Sequence, residues 1–389
     1  MTKMIKMEAQ NDQRQLHTVF LVSLIDLFSV SLVIPILATH LISIGFSHFQ
    51  IGMLGSVYSF MQLVSSPCIG SLSDVSGRKT VLGFSLVVCS ACYFVLGYSD
   101  VYAVIFLARF TLGILKNTQS LCKTIIADVT PTDRQLGAYG MFTSITSLAF
   151  VVGPSLGGHI AELSNGFFYL CSIASLLFLL NAFIVFVYVH NSGVKTKTEE
   201  GKGVTFSQQV KLTCVKLVSI KWGKHYPVFL VRFFYGISIF MFFSSYTLYM
   251  KETFDMSPSA IGYTVSFQGM VSFLAGIMSK YISGAQSSIT RCYYLLLLLS
   301  TSFFVLAFVQ SFFAYLLFLV PMFVSYSLLR VVTIEMVFEN SDFSERGSLN
   351  GAFNSVMSLS KLITPVISGL SLIGLVTKQY FLIPFFFVD

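Results

Sequence analysis

The sequence predicts an all-α membrane protein built from two six-helix bundles related by pseudo-two-fold symmetry, and three observations predict it. Of 389 residues, 55% are hydrophobic and only 11% are charged, with 40 phenylalanines, more apolar mass than one water-soluble core buries. Apolar runs of ~20 residues, the length that crosses a ~30 Å hydrocarbon layer as a helix, recur along the whole chain. A lysine-rich polar gap divides them into two sets whose landmarks repeat. Ser47, Ile51 and Gly52 return as Ser257, Ile261 and Gly262, and Gly140 and Pro154 return as Gly351 and Pro365.

Taken in order, the expected spans are 17–40, 51–72, 80–99, 102–126, 137–162 and 167–190, then 227–250, 258–282, 292–310, 312–334 and 349–371. Residues 1–16 form a polar tail ahead of a full-length span, which argues against a cleavable leader. Residues 17–190 make the first six-helix bundle, 191–226 the central loop, and 227–389 a second bundle of five full helices and a partial twelfth. In the loop, Phe206, Val210, Cys214, Leu217 and Val218 fall at helical spacing, which fits an amphipathic helix on the inner membrane face or a plain linker. After Lys378 only Tyr380 to Val388 remain apolar, roughly half of a crossing. The twelfth helix is therefore expected to be incomplete, as in a truncated, splice or gene-model variant.

Charge sets the orientation. The net +7 lies mostly in short stretches between apolar runs, a topology signal and not a nucleic-acid face. Lysine and arginine collect in the tail, the even-numbered loops and the central loop, whereas the opposite loops hold only Lys251 and Lys378. The amino terminus and central loop are expected in the cytoplasm, with six spans between them. The seven cysteines read as small apolar packers. No grouped nucleophile, base and third residue appears, and no zinc or phosphate-loop spacing, so neither an enzyme nor a metal or other cofactor is expected.

The turn Gly70-Ser-Leu-Ser-Asp-Val-Ser-Gly-Arg-Lys-Thr-Val-Leu82 is charged and clamped between two apolar runs. Gly70 and Gly77 permit close helix approach and reversal, Asp74 accepts hydrogen bonds at a neighbouring helix start, and Arg78 and Lys79 hold the turn on the cytoplasmic side. The stretch resembles the signature loop of the major facilitator superfamily, G-x-L-x-D-x-x-G-R-K-x-x-L, matched at Gly70, Leu72, Asp74, Gly77, Arg78, Lys79 and Leu82. Val75 stands where that family often has a base. Ala127-Asp128-Val129-Thr130-Pro131 with Arg134 resembles a second family element. The resemblance implies the major facilitator fold and a cytoplasmic gate in which Asp74, Arg78, Asp128 and Arg134 form a charge network.

Asp26 lies deep in the first span, and a carboxylate there costs ~2.5–3.5 kcal/mol on insertion scales, so it needs a cavity or a partner. Arg109, Gly113, Lys116, Ser120 and Lys123 share one face of the fourth span. Lys116 falls at a depth close to that of Asp26, which makes an Asp26–Lys116 pair the main expectation, with Arg109 the competing partner. Asn117 joins them as a candidate for the solute or proton site, as does Lys361, deep in the eleventh span on a polar stripe with Asn354, Ser358 and Pro365. Arg232 and Arg330 are placed near enough to the inner face to snorkel, and His159 reads as a packed histidine near the outer mouth.

Gly140 and Gly153-Pro154-Ser155-Leu156-Gly157-Gly158 resemble the family's antiporter motif, with Ala149 at its second glycine. Small residues admit neighbouring helices and Pro154 bends its own. Arg109 and Gly113 resemble the fourth-helix R-x-x-x-G motif, with Leu112 where glutamine is favoured. The finer likeness is to an animal branch of the superfamily whose solute is not established. The expected function is secondary active transport of a small organic solute by alternating access, coupled to protons as an antiport. The alternatives are a uniporter of organic anions and, from another class, a non-transporting scaffold or receptor. The expected partners are the bilayer, the solute and protons, and the two halves of one chain point to a monomer.

Overall fold

The computed structural model describes residues 2–131, 135–190, 222–282, 287–339, 349, 355–364 and 367. Among them every regular element is helical. The first bundle holds α1 (Thr2–Ser43), α2 (His48–Ser76), α3 (Arg78–Tyr98), α4 (Tyr102–Leu115), α5 (Thr118–Val129), α6 (Gln135–Ala161) and α7 (Gly166–Tyr188). The second holds α8 (Trp222–Phe254), α9 (Pro258–Ile282), α10 (Ser288–Phe308), α11 (Phe312–Glu339) and α12 (355–364). Eight of these helices are long and apolar enough to cross a membrane.

Two expectations change. The tail is helical from Thr2, since its Lys, Met, Glu, Ala and Gln are good helix formers uninterrupted by Gly or Pro. The fourth span, expected as one helix over 102–126, is broken between α4 and α5. Residues 191–221 of the central loop, Arg134, Gly351, Asn354, Pro365 and the whole partial twelfth helix lie outside the described residues.

Local chemistry fixes the ends. Ser47 caps α2 with a full capping box, its hydroxyl accepting from the Gln50 N–H while Gln50 Oε1 accepts from the Ser47 N–H. Gly45 (φ 95°) ends α1 in a Schellman turn, with Phe46 N–H donating to the Leu41 carbonyl and Gly45 N–H to that of Ile42. Gly77 (φ 90°) reverses the chain between α2 and α3 in a conformation that side chains with a Cβ rarely adopt.

Each half packs on its own core. Leu82, Leu86, Ile105, Leu112 and Phe178 are fully buried in the first, and Tyr315, Leu319 and Phe323 in the second. The halves meet chiefly along α6 and α9. A Cβ at Gly157 would overlap the Leu32 carbonyl of α1, and one at Gly158 would overlap Pro258 and Ser259 of α9. On the facing helix, a Cβ at Gly262 would strike the Pro154 carbonyl and one at Gly269 the Phe150 carbonyl. Phe150 is the residue whose carbonyl the ring of Pro154 deprives of its helical donor. Next to it, the Ser155 N–H donates across the interface to Ser266 Oγ at 3.0 Å. Gly153 faces Ser31 of α1, whose hydroxyl donates to the Ala149 carbonyl. Gly140 and Gly70, by contrast, have nothing within 4 Å of a built Cβ.

Candidate functional site

The site is built where α1 crosses the break in the fourth span. Asp26 is 0% exposed. Its carboxylate binds the Lys116 ammonium, which projects from the C-cap of α4, and accepts a 3.1 Å hydrogen bond from Gln119 Nε2 in the first turn of α5. Lys116 also lies 5.0 Å from the ring centroid of Phe178 on α7. The structure thus joins Asp26 to Lys116 and not to Arg109.

A helix break inside a bilayer frees backbone groups that lipid cannot satisfy. Here the side chains of α2 and of the break itself satisfy them. Gln62 Nε2 donates to the Lys116 carbonyl at 2.8 Å, and Ser65 Oγ to that of Gly113 at 3.3 Å. Asn117 Nδ2 donates to the Ile114 carbonyl at 3.1 Å and to Ser65 Oγ at 3.2 Å. Gly113 lets α2 come this close, since a Cβ there would overlap the Tyr58 carbonyl and the Met61 side chain. Asn117 is therefore engaged with backbone and α2, and it does not line the cavity.

That cavity, about 600 Å³, lies between the halves. Arg109 and Lys116 line it from the first half, and Arg330 and Lys361 from the second. Its walls are largely apolar, with aromatic side chains such as Tyr58, Phe243, Phe323 and Tyr326 among them. No carboxylate lines it among the described residues; Asp26 sits behind Lys116. Arg109, 8% exposed, stacks its guanidinium 5.3 Å from the Tyr58 ring, and its Nε has no hydrogen-bond partner among the described residues. Lys361 lies 5.2 Å from the Phe240 ring. Of the two arginines expected to snorkel, Arg330 lines the cavity instead. Arg232 is 6% exposed and donates to Tyr235 Oη and Thr333 Oγ1.

At one end of the first bundle, Arg78 gathers the signature residues. Its guanidinium pairs with Asp74 at 2.5 Å and Asp128 at 3.1 Å, and donates to Ser73 Oγ at 2.6 Å. Lys79 is half-buried beside it. The second bundle carries a matching clamp that the motif search missed. Arg291, at the start of α10, pairs with Glu335 near the end of α11 at 3.1 Å, while Ser288 Oγ donates to Glu339 at 2.6 Å. The signal was the repeat itself, because Arg291 follows Arg78, and Glu335 follows Asp128, at nearly the spacing of the other repeated landmarks.

The opposite end is where the halves close. Glu162 accepts from the Ser259 N–H and hydroxyl at the start of α9, 3.2 and 2.6 Å. These hydrogen bonds, that of Ser259 Oγ first, lower its carboxyl pKa. His159 Nε2 lies 2.5 Å from Tyr263 Oη, and His48 lies 3.7 Å from Glu252. Five of the six described cysteines are buried and all six are unpaired, in keeping with packing.

A family model described as Major Facilitator Superfamily matches residues 19–372. The chain is 24% identical over 348 residues to the quinolone resistance protein NorA of Staphylococcus aureus (strain MSSA476), covering 87% of this chain and 85% of that one. It is 26% identical over 270 residues to the tetracycline resistance protein, class B, of Escherichia coli, covering 68% and 64%. Among solved structures, the human organic anion transporter MFSD10 (TETRAN) superposes with a TM-score of 0.72 at 20% identity, over 97% of this chain and 99% of that one. A bacterial homologue of the human lysosomal transporter Spinster, inward-facing and unoccupied, gives 0.76 at 12% identity, over 92% and 82%. At these identities the structural likeness establishes the fold.

Proposed function

This chain belongs to the major facilitator superfamily, a multi-pass membrane transporter and not an enzyme, and from that premise we propose secondary active transport of a small organic solute by alternating access, as a proton-coupled antiport. The observation that carries the reading is the cavity shared by the two halves, with the Asp26–Lys116 pair behind its wall. Solute in the cavity and a proton on Asp26 then act on the same lysine. The Gly-Pro run of α6 supports exchange, since it lets α1 and α9 lie against one helix on which the halves rock. In this reading Arg109, Lys116 and Lys361 contact solute, the Arg78 cluster is the cytoplasmic gate, the amino terminus is cytoplasmic and the chain works as a monomer. We also read the chain as similar to the animal major facilitator domain-containing protein nine, on Ile25-Asp26-Leu27-Phe28, Gly113-Ile114-Leu115-Lys116 and Gly153-Pro154.

A second reading, uniport of organic anions, is favoured by one observation: four cations line the cavity without a carboxylate among the described residues. Flux in proteoliposomes under an imposed pH gradient separates the two. Antiport requires solute flux driven by the gradient and abolished by Asp26→Asn. Flux that ignores the gradient supports uniport, and no flux of any organic anion or drug-like cation by folded protein overturns both.

A further inference from the structure

The fourth span carries Arg109, Lys116 and Lys123 at intervals of seven residues, on either side of the break between α4 and α5. Asp26 neutralises the middle one. Arg109 has the Tyr58 ring beneath it and no ion-pair partner among the described residues. From the other half, Lys361 on α12 lies within electrostatic reach of Arg330 on α11 and of Lys123 on α5. Three cations from three helices thus repel one another, and Lys123, Arg330 and Lys361 have no ion-pair partner among the described residues. All three are exposed, and no counter-charge among the described residues offsets their mutual repulsion. A cavity with one excess cation suits a monoanion, but here the excess falls into two groups.

The two groups stand on different halves, Arg109 on α4 and Arg330 and Lys361 on α11 and α12. Tyr58, under Arg109, belongs to the stretch of α2 that holds Ser56, and Ser56 Oγ donates to the Leu362 carbonyl, which sets the level of the Lys361 backbone. Arg330 lies towards the Arg78 end, because Glu335, little more than one turn further along α11, already pairs with Arg291 at the start of α10. Lys361 extends over Phe240. Tyr58, Phe243, Phe323 and Tyr326 line the same cavity. About 600 Å³ is room for a drug-sized solute.

We propose that the cavity takes an organic dianion with an apolar or aromatic body, one anionic group held at Arg109 and the other between Lys361 and Arg330. The inference rests on the anionic reading of the solute and holds whichever way protons run. The test is calorimetric titration of the purified full chain with biphenyl-4-carboxylate, biphenyl-4,4′-dicarboxylate, the monomethyl ester of the latter, and 4-biphenylmethylammonium as a cationic control. A second charge-assisted contact makes the dicarboxylate at least about tenfold tighter than the monocarboxylate or the ester. Lys361→Met and Arg330→Gln each weaken the dicarboxylate more than the monocarboxylate and so erase that advantage, while Lys361→Arg retains it. Arg109→Gln weakens both acids. Equal binding of mono- and dicarboxylate overturns the dianion and leaves the anionic reading standing. Preference for the amine, or no binding of either acid at millimolar concentration, overturns both.

Discussion

Replacing Asp26 by asparagine tests the centre of the site. Asp26 is 0% exposed and Lys116 is 8% exposed, so the substitution strands an ammonium in a poorly solvated place. Breaking a buried pair by removing one partner costs about 3–5 kcal/mol. Two features place the value near the lower end: Lys116 lines the cavity and can take water, and the amide oxygen introduced by Asp26→Asn still accepts from Gln119. Lys116→Met alone strands the carboxylate, with Gln119 as its remaining donor, and falls in the same range. The double variant removes both charges and is expected to cost about 1 kcal/mol or less, so the two single losses exceed the double loss by roughly 5 kcal/mol. Thermal unfolding of the purified protein in one detergent, at one scan rate, reads all four members of the cycle. Additive losses, or an Asp26→Asn variant as stable as the parent, refute the pairing argument and put Asp26 in contact with water.

Three further outcomes follow from the same reasoning. Gly158→Ala places a methyl against the Pro258 carbonyl and costs about 1–3 kcal/mol, widening the distance between spin labels on α6 and α9, whereas Gly140→Ala, which faces open space, changes stability by less than about 0.5 kcal/mol. Glu162 has a lowered carboxyl pKa, so its contribution is fully present above the ordinary carboxylate value of about 4.3 and is lost as pH falls through the lowered one; Glu162→Gln lowers stability near neutrality and flattens the acid limb of a stability–pH curve. Arg291→Gln leaves Glu335 with an uncompensated charge at the end of α11 and costs about 1.5–3 kcal/mol, as Arg78→Gln does in the other half, which thermal midpoints check.

The bundle was legible because a bilayer allows few backbone solutions, and length and hydropathy then count the helices. Asp26–Lys116 was legible because the first and fourth spans run in opposite directions, so residue counts from opposite surfaces convert into depth. The break beside Lys116 was not. Leu115-Lys116-Asn117-Thr118 contains neither Gly nor Pro, and nothing local forbids a continuous helix. It forms because Gln62 and Ser65, some fifty residues earlier, supply the donors that lipid lacks. Gly262, Gly269 and Ser266 were equally silent, since a glycine or serine in a span acquires meaning only from the carbonyl or N–H that faces it in the other half.

The same distinction decides how cavity charge is read. Counting cations on the face of the fourth span gives an even ladder at Arg109, Lys116 and Lys123. Folding makes the ladder uneven: the break turns Lys116 onto Asp26 with Gln119 beside it, Lys123 lies over the Phe142 ring and outside the cavity lining, and Arg109 faces the cavity with no ion-pair partner among the described residues. A solute in the cavity therefore meets Arg109 on this wall and Arg330 and Lys361 on the other half. A single carboxylate engages one of these groups at a time, while a body carrying two anionic groups engages both at once. That division of charge between the halves, and not the number of basic residues, is what makes the second anionic group of the solute the quantity to measure.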